Sequence, residues 1–134
     1  MKLSITASAI AVITAMGALP AMADSHGNDF VHSRTNNGQY YVMYQTHMSL
    51  YTFKNDTAGV STCYDTCAQN WPPAVFPAST PMGENYSLIQ RSDGSLQAAY
   101  KGQPLYLSNL DKKIGDTNGD GVGNVWVLAR PEMM

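Results

Sequence analysis

Leu50-Tyr51-Thr52-Phe53-Lys54-Asn55-Asp56 returns as Leu105-Tyr106-Leu107-Ser108-Asn109-Leu110-Asp111, and these two stretches decide the fold. Leu, Tyr and Asp all keep an offset of 55 positions. Trp71 and Trp126, the only two tryptophans, obey the same offset. A fixed period marks a duplicated supersecondary unit, and two copies make a pseudo-two-fold domain rather than a solenoid. The copies span about 40–75 and 86–131, inside a domain running from 39 to 134. Their middles differ: the first carries Cys63 and Cys67, the second a Gly-rich loop.

Around these stretches the chain reads as β. Tyr40 to Tyr44 and Ser49 to Phe53 are aromatic-rich runs about a short polar turn. Tyr86 to Arg91 and Leu96 to Tyr100 flank Ser92-Asp93-Gly94-Ser95, where Asp-Gly signals a hairpin. Lys101 to Pro104 turns the chain before Leu105 to Leu107, and Val125 to Ala129 is a last apolar strand. Pro77 and Pro81 make the segment from Ala74 to Gly83 an irregular crossover. Ser61 to Pro73 predicts a short helix, capped by Ser61 or Thr62 and stopped by Pro72-Pro73. Cys63 and Cys67 then share one face at i and i+4. An ideal helix strains such a bridge, so a distorted or one-turn element is expected. The predicted class is a mainly β, small antiparallel, two-repeat pseudo-symmetric domain with one short disulfide-stapled helix.

Residues 1–23 read as a secretory signal peptide. Lys2 supplies the positive start, Ala7 to Leu19 an apolar run too short to span a bilayer, and Ala21-Met22-Ala23 a small-x-small cleavage site. Cleavage there starts the mature chain at Asp24, with no membrane span left. Residues 24–38 are poor in apolar side chains and predict a flexible tail. Export places the chain in an oxidising compartment, periplasmic or extracellular, where an isolated Cys63/Cys67 pair forms a disulfide by default. Closing so short a loop stabilises by about 2 kcal/mol in the chain-entropy model.

The 134 residues are 13% charged with a net charge of -2, which disfavours nucleic-acid binding, since that needs a basic surface. Eight Tyr, three Phe and two Trp are too many buryable rings for a disordered chain. Tyr51, Phe53, Trp71, Tyr106 and Trp126 are read as core, with a ligand groove as the alternative. Asp56 and Asp111 follow strands and are read as turn caps that accept backbone N–H groups.

Three metal readings stay open. Asp116-Thr117-Asn118-Gly119-Asp120-Gly121 has the opening of a calcium loop, with Asp116, Asn118 and Asp120 as oxygen donors. Position twelve is Val127, so the bidentate Glu is missing and a Gly-rich turn is the plainer reading. After cleavage, Asp24, Ser25 and His26 present an α-amine, two amide nitrogens and an imidazole, a square-planar set suited to Cu(II). Met and His residues near Met43 and His47 also suit Cu(I), against the plainer reading of core packing.

The motifs together resemble a family of bacterial secreted repeats of unknown function, described as predicted lipoproteins. Tyr51-Thr52-Phe53-Lys54-Asn55-Asp56 fits its Tyr-x-aromatic-x-x-Asp hallmark, and Cys63 to Pro73 fits its Cys-x-x-x-Cys-Ala-x-x-Trp-Pro-Pro. Asp93-Gly94-Ser95, Tyr100 to Tyr106, Gly115-Asp116-Thr117 and Val125-Trp126 fit its second copy. Ser108 departs from it, standing where the second hallmark carries an aromatic, and no Cys follows the apolar leader to take a lipid. The resemblance implies export and architecture, and no activity. The functional expectation is a soluble, non-enzymatic binding or scaffolding module of the cell envelope, its ligand or partner unknown and no cofactor required. The alternative is a copper-handling or redox-accessory protein.

Overall fold

Asn37 and Gly38 both adopt positive φ, 50° and 79°. That is the backbone of a two-residue type I′ turn, whose twist suits a tight hairpin. It joins β1 (Val31–Asn36) to β2 (Gln39–Tyr44) in unbroken antiparallel register from Val31↔Tyr44 to Asn36↔Gln39. The computed structural model describes residues 30–134. The tail expected through residue 38 is therefore corrected from Val31 onward. Few apolar residues suffice there because β1 is held by the β2 ladder, and its burial is confined largely to Val31. The signal peptide, the Asp24–Ser25–His26 site and the rest of the tail lie outside the described residues.

The second hairpin pairs β4 (Tyr86–Gln90) with β5 (Leu96–Tyr100), as expected. Asp93 Oδ1 accepts the Ser95 N–H at 2.9 Å and Gly94 takes φ 87°, which closes the loop. β6 (Gln103–Pro104) adds a short third strand. Between the hairpins run β3 (Tyr51–Phe53) and α1 (Thr66–Asn70), and near the end of the chain lies β7 (Trp126–Leu128). Single-turn 3₁₀ helices cover Val122–Asn124 and Pro131–Met133.

Two sequence expectations need correction. The run to Phe53 does not form a hairpin with β2. Across the turn a Met43↔Ser49 bridge, the Leu50 N–H bond to the Val42 carbonyl and the Tyr44 N–H bond to the Met48 carbonyl join the chain, while β3 itself pairs with β7. The helix is also shorter than Ser61–Pro73: it has five residues, and Cys63 lies outside it. Asp65 sits at φ 54° before the first turn, so the chain is not helical there. The hydroxyls of Ser61 and Thr62 are taken by tertiary partners and do not cap α1. The disulfide itself forms, with Cys63 and Cys67 Cα atoms 5.3 Å apart.

The two copies are intertwined. The Tyr51 N–H bonds the Tyr106 carbonyl at 2.8 Å, and the Tyr106 N–H returns the bond at 2.9 Å. The pseudo-two-fold therefore passes between these tyrosines. Around it, equivalents match bond for bond: Ala74 N–H to Leu105 O and Ala129 N–H to Leu50 O, Ala98 N–H to Ala74 O and Val42 N–H to Ala129 O. The closing strand of each copy thus pairs with the other copy: β7 on β3, and Pro73 on Tyr106. Successive strand residues face opposite sides. Leu50 and Leu105 enter one apolar cluster with Val31, Val42, Phe76 and Ala98. Tyr51 and Tyr106 enter a second with Tyr41, Met43, Cys63, Trp71, Trp126 and Leu128.

Candidate functional site

The repeated residues meet at the centre of the second cluster. Trp71 and Trp126 stack face to face, with centroids 3.9 Å apart and planes 5° from parallel. Each also meets the tyrosine of its own copy edge-on: Tyr51 against Trp71 at 5.6 Å and Tyr106 against Trp126 at 5.2 Å. Phe53 stacks on Trp126 at 4.3 Å, so three rings form one column. Ser108, the equivalent of Phe53, brings no ring and lends its Oγ to the Leu110 N–H. On that side Gly119 closes the packing. A β-carbon there would stand 2.8 Å from Trp71 Cη2 and 2.9 Å from Tyr51 Cε1.

The tyrosine hydroxyls cross between copies. Tyr51 donates to Asp111 Oδ2 at 2.7 Å, and Tyr106 donates to Asp56 Oδ2 at 2.7 Å. Each carboxylate spends its other oxygen locally. Asp56 Oδ1 accepts the N–H and the hydroxyl of Thr62, at 2.8 and 2.6 Å, and Asp111 Oδ1 accepts the Asn118 N–H at 2.9 Å. The turn-capping role expected of both aspartates is thus present. The crossed tyrosine bond, which sequence offset alone does not reveal, is the larger part of their environment.

The two carboxylates are neutralised differently. Arg91 is 3% exposed and donates to Ser61 Oγ at 2.8 Å, Gln97 Oε1 at 2.9 Å and the Cys63 carbonyl at 2.7 Å. Ser61 in turn bonds the Tyr106 hydroxyl. Since that hydroxyl gives its one proton to Asp56, the Ser61 proton points to the tyrosine oxygen. A directed chain therefore runs from the Arg91 guanidinium through two hydroxyls to the Asp56 carboxylate. Tyr64 stacks on the guanidinium at 4.3 Å. On the other side the Tyr51 hydroxyl accepts only the Gly119 N–H, at 3.3 Å. Burial raises the Asp111 pKa, partly offset by the bonds from Tyr51 and Asn118. Burial and the adjoining carboxylate raise Tyr51 far above the ordinary phenol range. Burial likewise pushes Tyr106 up to about 12, against the lowering bond from Ser61.

Such a set can cross-link two halves of a domain. Both tyrosine side chains are wholly buried, and both aspartates are nearly so. Each oxygen is committed to a neighbour, as buried polar groups must be. Tyr51, Trp71, Tyr106 and Trp126 are core, as expected, with Phe53 half-buried at the end of the column. The calcium-loop residues have other employment. Asp116 Oδ2 accepts the N–H groups of Lys112 and Lys113, Asn118 Nδ2 donates to the Leu110 carbonyl, and Asp120 holds the Leu128 N–H and Arg130. Among the described residues no group of three or more His, Cys, Asp or Glu side chains is placed to hold a metal ion.

Sequence reading missed Arg91, whose place as a buried cation had no signal beyond its position after a strand. It also missed β1, although Asn37-Gly38 is the strongest short hairpin signal available.

The recurring Tyr, Asp and Trp therefore define one duplicated unit, and comparison of the sequence finds a repeat twice: residues 35–75 and 87–130 match a family described as a secreted repeat of unknown function. The chain belongs to this secreted-repeat family. The matched segments cover more than half of it and begin and end within a few residues of the two intertwined copies. Curated proteins and solved structures give no match. No helix among the described residues is long and apolar enough to cross a membrane.

Proposed function

We propose that this secreted repeat is a non-enzymatic module that binds or scaffolds a component of the cell envelope, exported by cleavage after Ala23. One observation carries the reading: the residues that define the repeat are buried and bonded to one another. Their chemistry is consumed in holding the copies together, which leaves recognition to the parts that differ between copies. The second copy's loop exposes Leu110 and Ile114 by 50% and 59%, next to Lys112 and Lys113. Exposed apolar side chains rimmed by charge are the composition of a contact surface. The periplasm is the compartment that fits a soluble envelope module best.

The test is affinity capture from native envelope extract with tagged mature protein. A saturable partner is expected, lost when Leu110→Ser and Ile114→Ser are combined while the melting temperature is unchanged. Capture that survives both substitutions removes the loop from the reading, and turnover of any envelope substrate overturns the non-enzymatic assignment.

A further inference from the structure

The first hairpin carries a cluster of soft and borderline metal donors at the end away from its turn. His32 and Met43 are cross-strand partners in the β1–β2 register. Directly opposed residues project to the same face, with β-carbons about 4.5–5.5 Å apart. Met43 points into the Tyr–Trp cluster, so His32 borders that cluster too. Both ring nitrogens of His32 are screened from solvent.

The chain then folds back. Tyr44 N–H bonds the Met48 carbonyl and Met43 bridges Ser49, which brings His47 over the hairpin. His47 takes φ 65°, and its half-buried ring meets that of His32 at 5.0 Å between centroids, 88° between planes. Metal–imidazole bonds are about 2.0–2.1 Å, so two rings meeting one ion at a roughly tetrahedral angle have centroids about 5 Å apart. The rings already have that spacing.

The duplication supplies an internal control. The pair equivalent to His32↔Met43 in the second hairpin is Ser87↔Ala99. The fold therefore accepts a hydroxyl and a methyl at these two positions, and imidazole opposite thioether is a property of the first copy alone.

We propose that His32, His47 and Met43 bind one Cu(I) ion. Thioether and imidazole donors favour a soft monovalent cation over the hard divalent ones. The set carries no charge of its own, as suits a singly charged ion. The site is independent of any envelope partner.

The experiment is anaerobic competition for Cu(I) against bicinchoninate, with mature protein carrying His26→Ala so that the terminal amine and imidazole contribute nothing. One equivalent of Cu(I) is expected to move to the protein. His32→Ser and His47→Asn should each weaken binding by more than the roughly 10–100-fold that losing a supporting residue costs a metal site. Met43→Leu keeps the volume of the core and should remove the sulfur scatterer from the X-ray absorption spectrum of the bound copper. Near-UV circular dichroism checks that each variant folds. Should one not fold, the parent's imidazole proton shifts decide, and Cu(I) is expected to move those of His32 and His47. Failure to take up Cu(I), undiminished binding by both histidine variants, or shifts confined to other residues overturns the proposal. Persistence of the sulfur signal in Met43→Leu overturns the Met43 assignment.

Discussion

The two copies bury the same Tyr–Asp–Trp set and solve the resulting electrostatic problem in different ways. The Asp56 side has a cation at the end of a hydroxyl chain, the Cys63–Cys67 link beside it, and Thr62 giving two donors to one carboxylate oxygen. Among the described residues the Asp111 side has no such cation in its contacts. It relies on the Tyr51 hydroxyl, the Asn118 N–H and a close backbone approach at Gly119. Removing a carboxylate from water is costly unless charge or hydrogen bonds replace the lost hydration. Burial raises the Asp111 pKa despite the bonds from Tyr51 and Asn118. Duplication thus kept the geometry while the two copies compensate their buried carboxylates in different ways. The covalent link accompanies the copy with the buried cation, and the glycine accompanies the copy without one.

The largest effects should come from the ring column, where the copies are also unequal. Trp126 lies between Phe53 and Trp71, whereas Trp71 stacks on one face only. Trp126→Ala and Trp71→Ala should each cost about 3–5 kcal/mol, with Trp126→Ala at the upper end. Denaturant unfolding measures both. A larger loss for Trp71→Ala breaks the asymmetry, and a small loss for either means that the rings line an open groove.

Next come the carboxylates and the glycine. Asp56→Ala strands three donors and the Arg91 charge behind them, against two donors for Asp111→Ala. The cost of each buried unsatisfied donor is about 1–3 kcal/mol, so Asp56→Ala should be the more destabilising. Equal losses would show that the Arg91 chain does not act on Asp56. Gly119→Ala forces a methyl into Trp71 and Tyr51 and should cost about 1–3 kcal/mol by overpacking.

The disulfide is expected to contribute about 2 kcal/mol, read as the loss in the Cys63→Ser, Cys67→Ser double variant. A loss much above that would mean that the link also positions Arg91, through the Cys63 carbonyl.

The smallest effects are those of pH. Between an aspartate's ordinary pKa and the raised value of Asp111, the folded state holds more protons than the unfolded one. Stability from this group therefore rises as pH falls through that window. Asp120 behaves oppositely. Despite its partial burial, Arg130 and the Leu128 N–H keep its pKa low, so its contribution is lost as pH falls through that lowered value. Carbonyl-detected titration should find Asp111 protonated before Asp120. At the alkaline end Tyr106 holds its proton up to about 12, above its unfolded value. Stability should fall as pH rises from about 10. Replacing both tyrosines by Phe should flatten that alkaline loss, and an unchanged slope would place its origin elsewhere.

By itself the sequence determined the duplication, the β class, the disulfide and the buried rings. A 55-residue offset, an Asp-Gly turn and two close cysteines are local or periodic signals that survive without coordinates. The crossed pairing was decided only by tertiary structure. Nothing in Tyr51 or Asp56 tells whether a tyrosine bonds the aspartate of its own copy or of the other. That choice follows from β7 lying on β3 and Pro73 on Tyr106, a long-range pairing with no local code. The same holds for Arg91 and for His32 with His47, which lie 15 positions apart and meet only because the chain after Tyr44 folds back over the first hairpin. Side chains announce their chemistry in sequence, but their partners are set by which backbone ladders close, and that is a property of the whole chain.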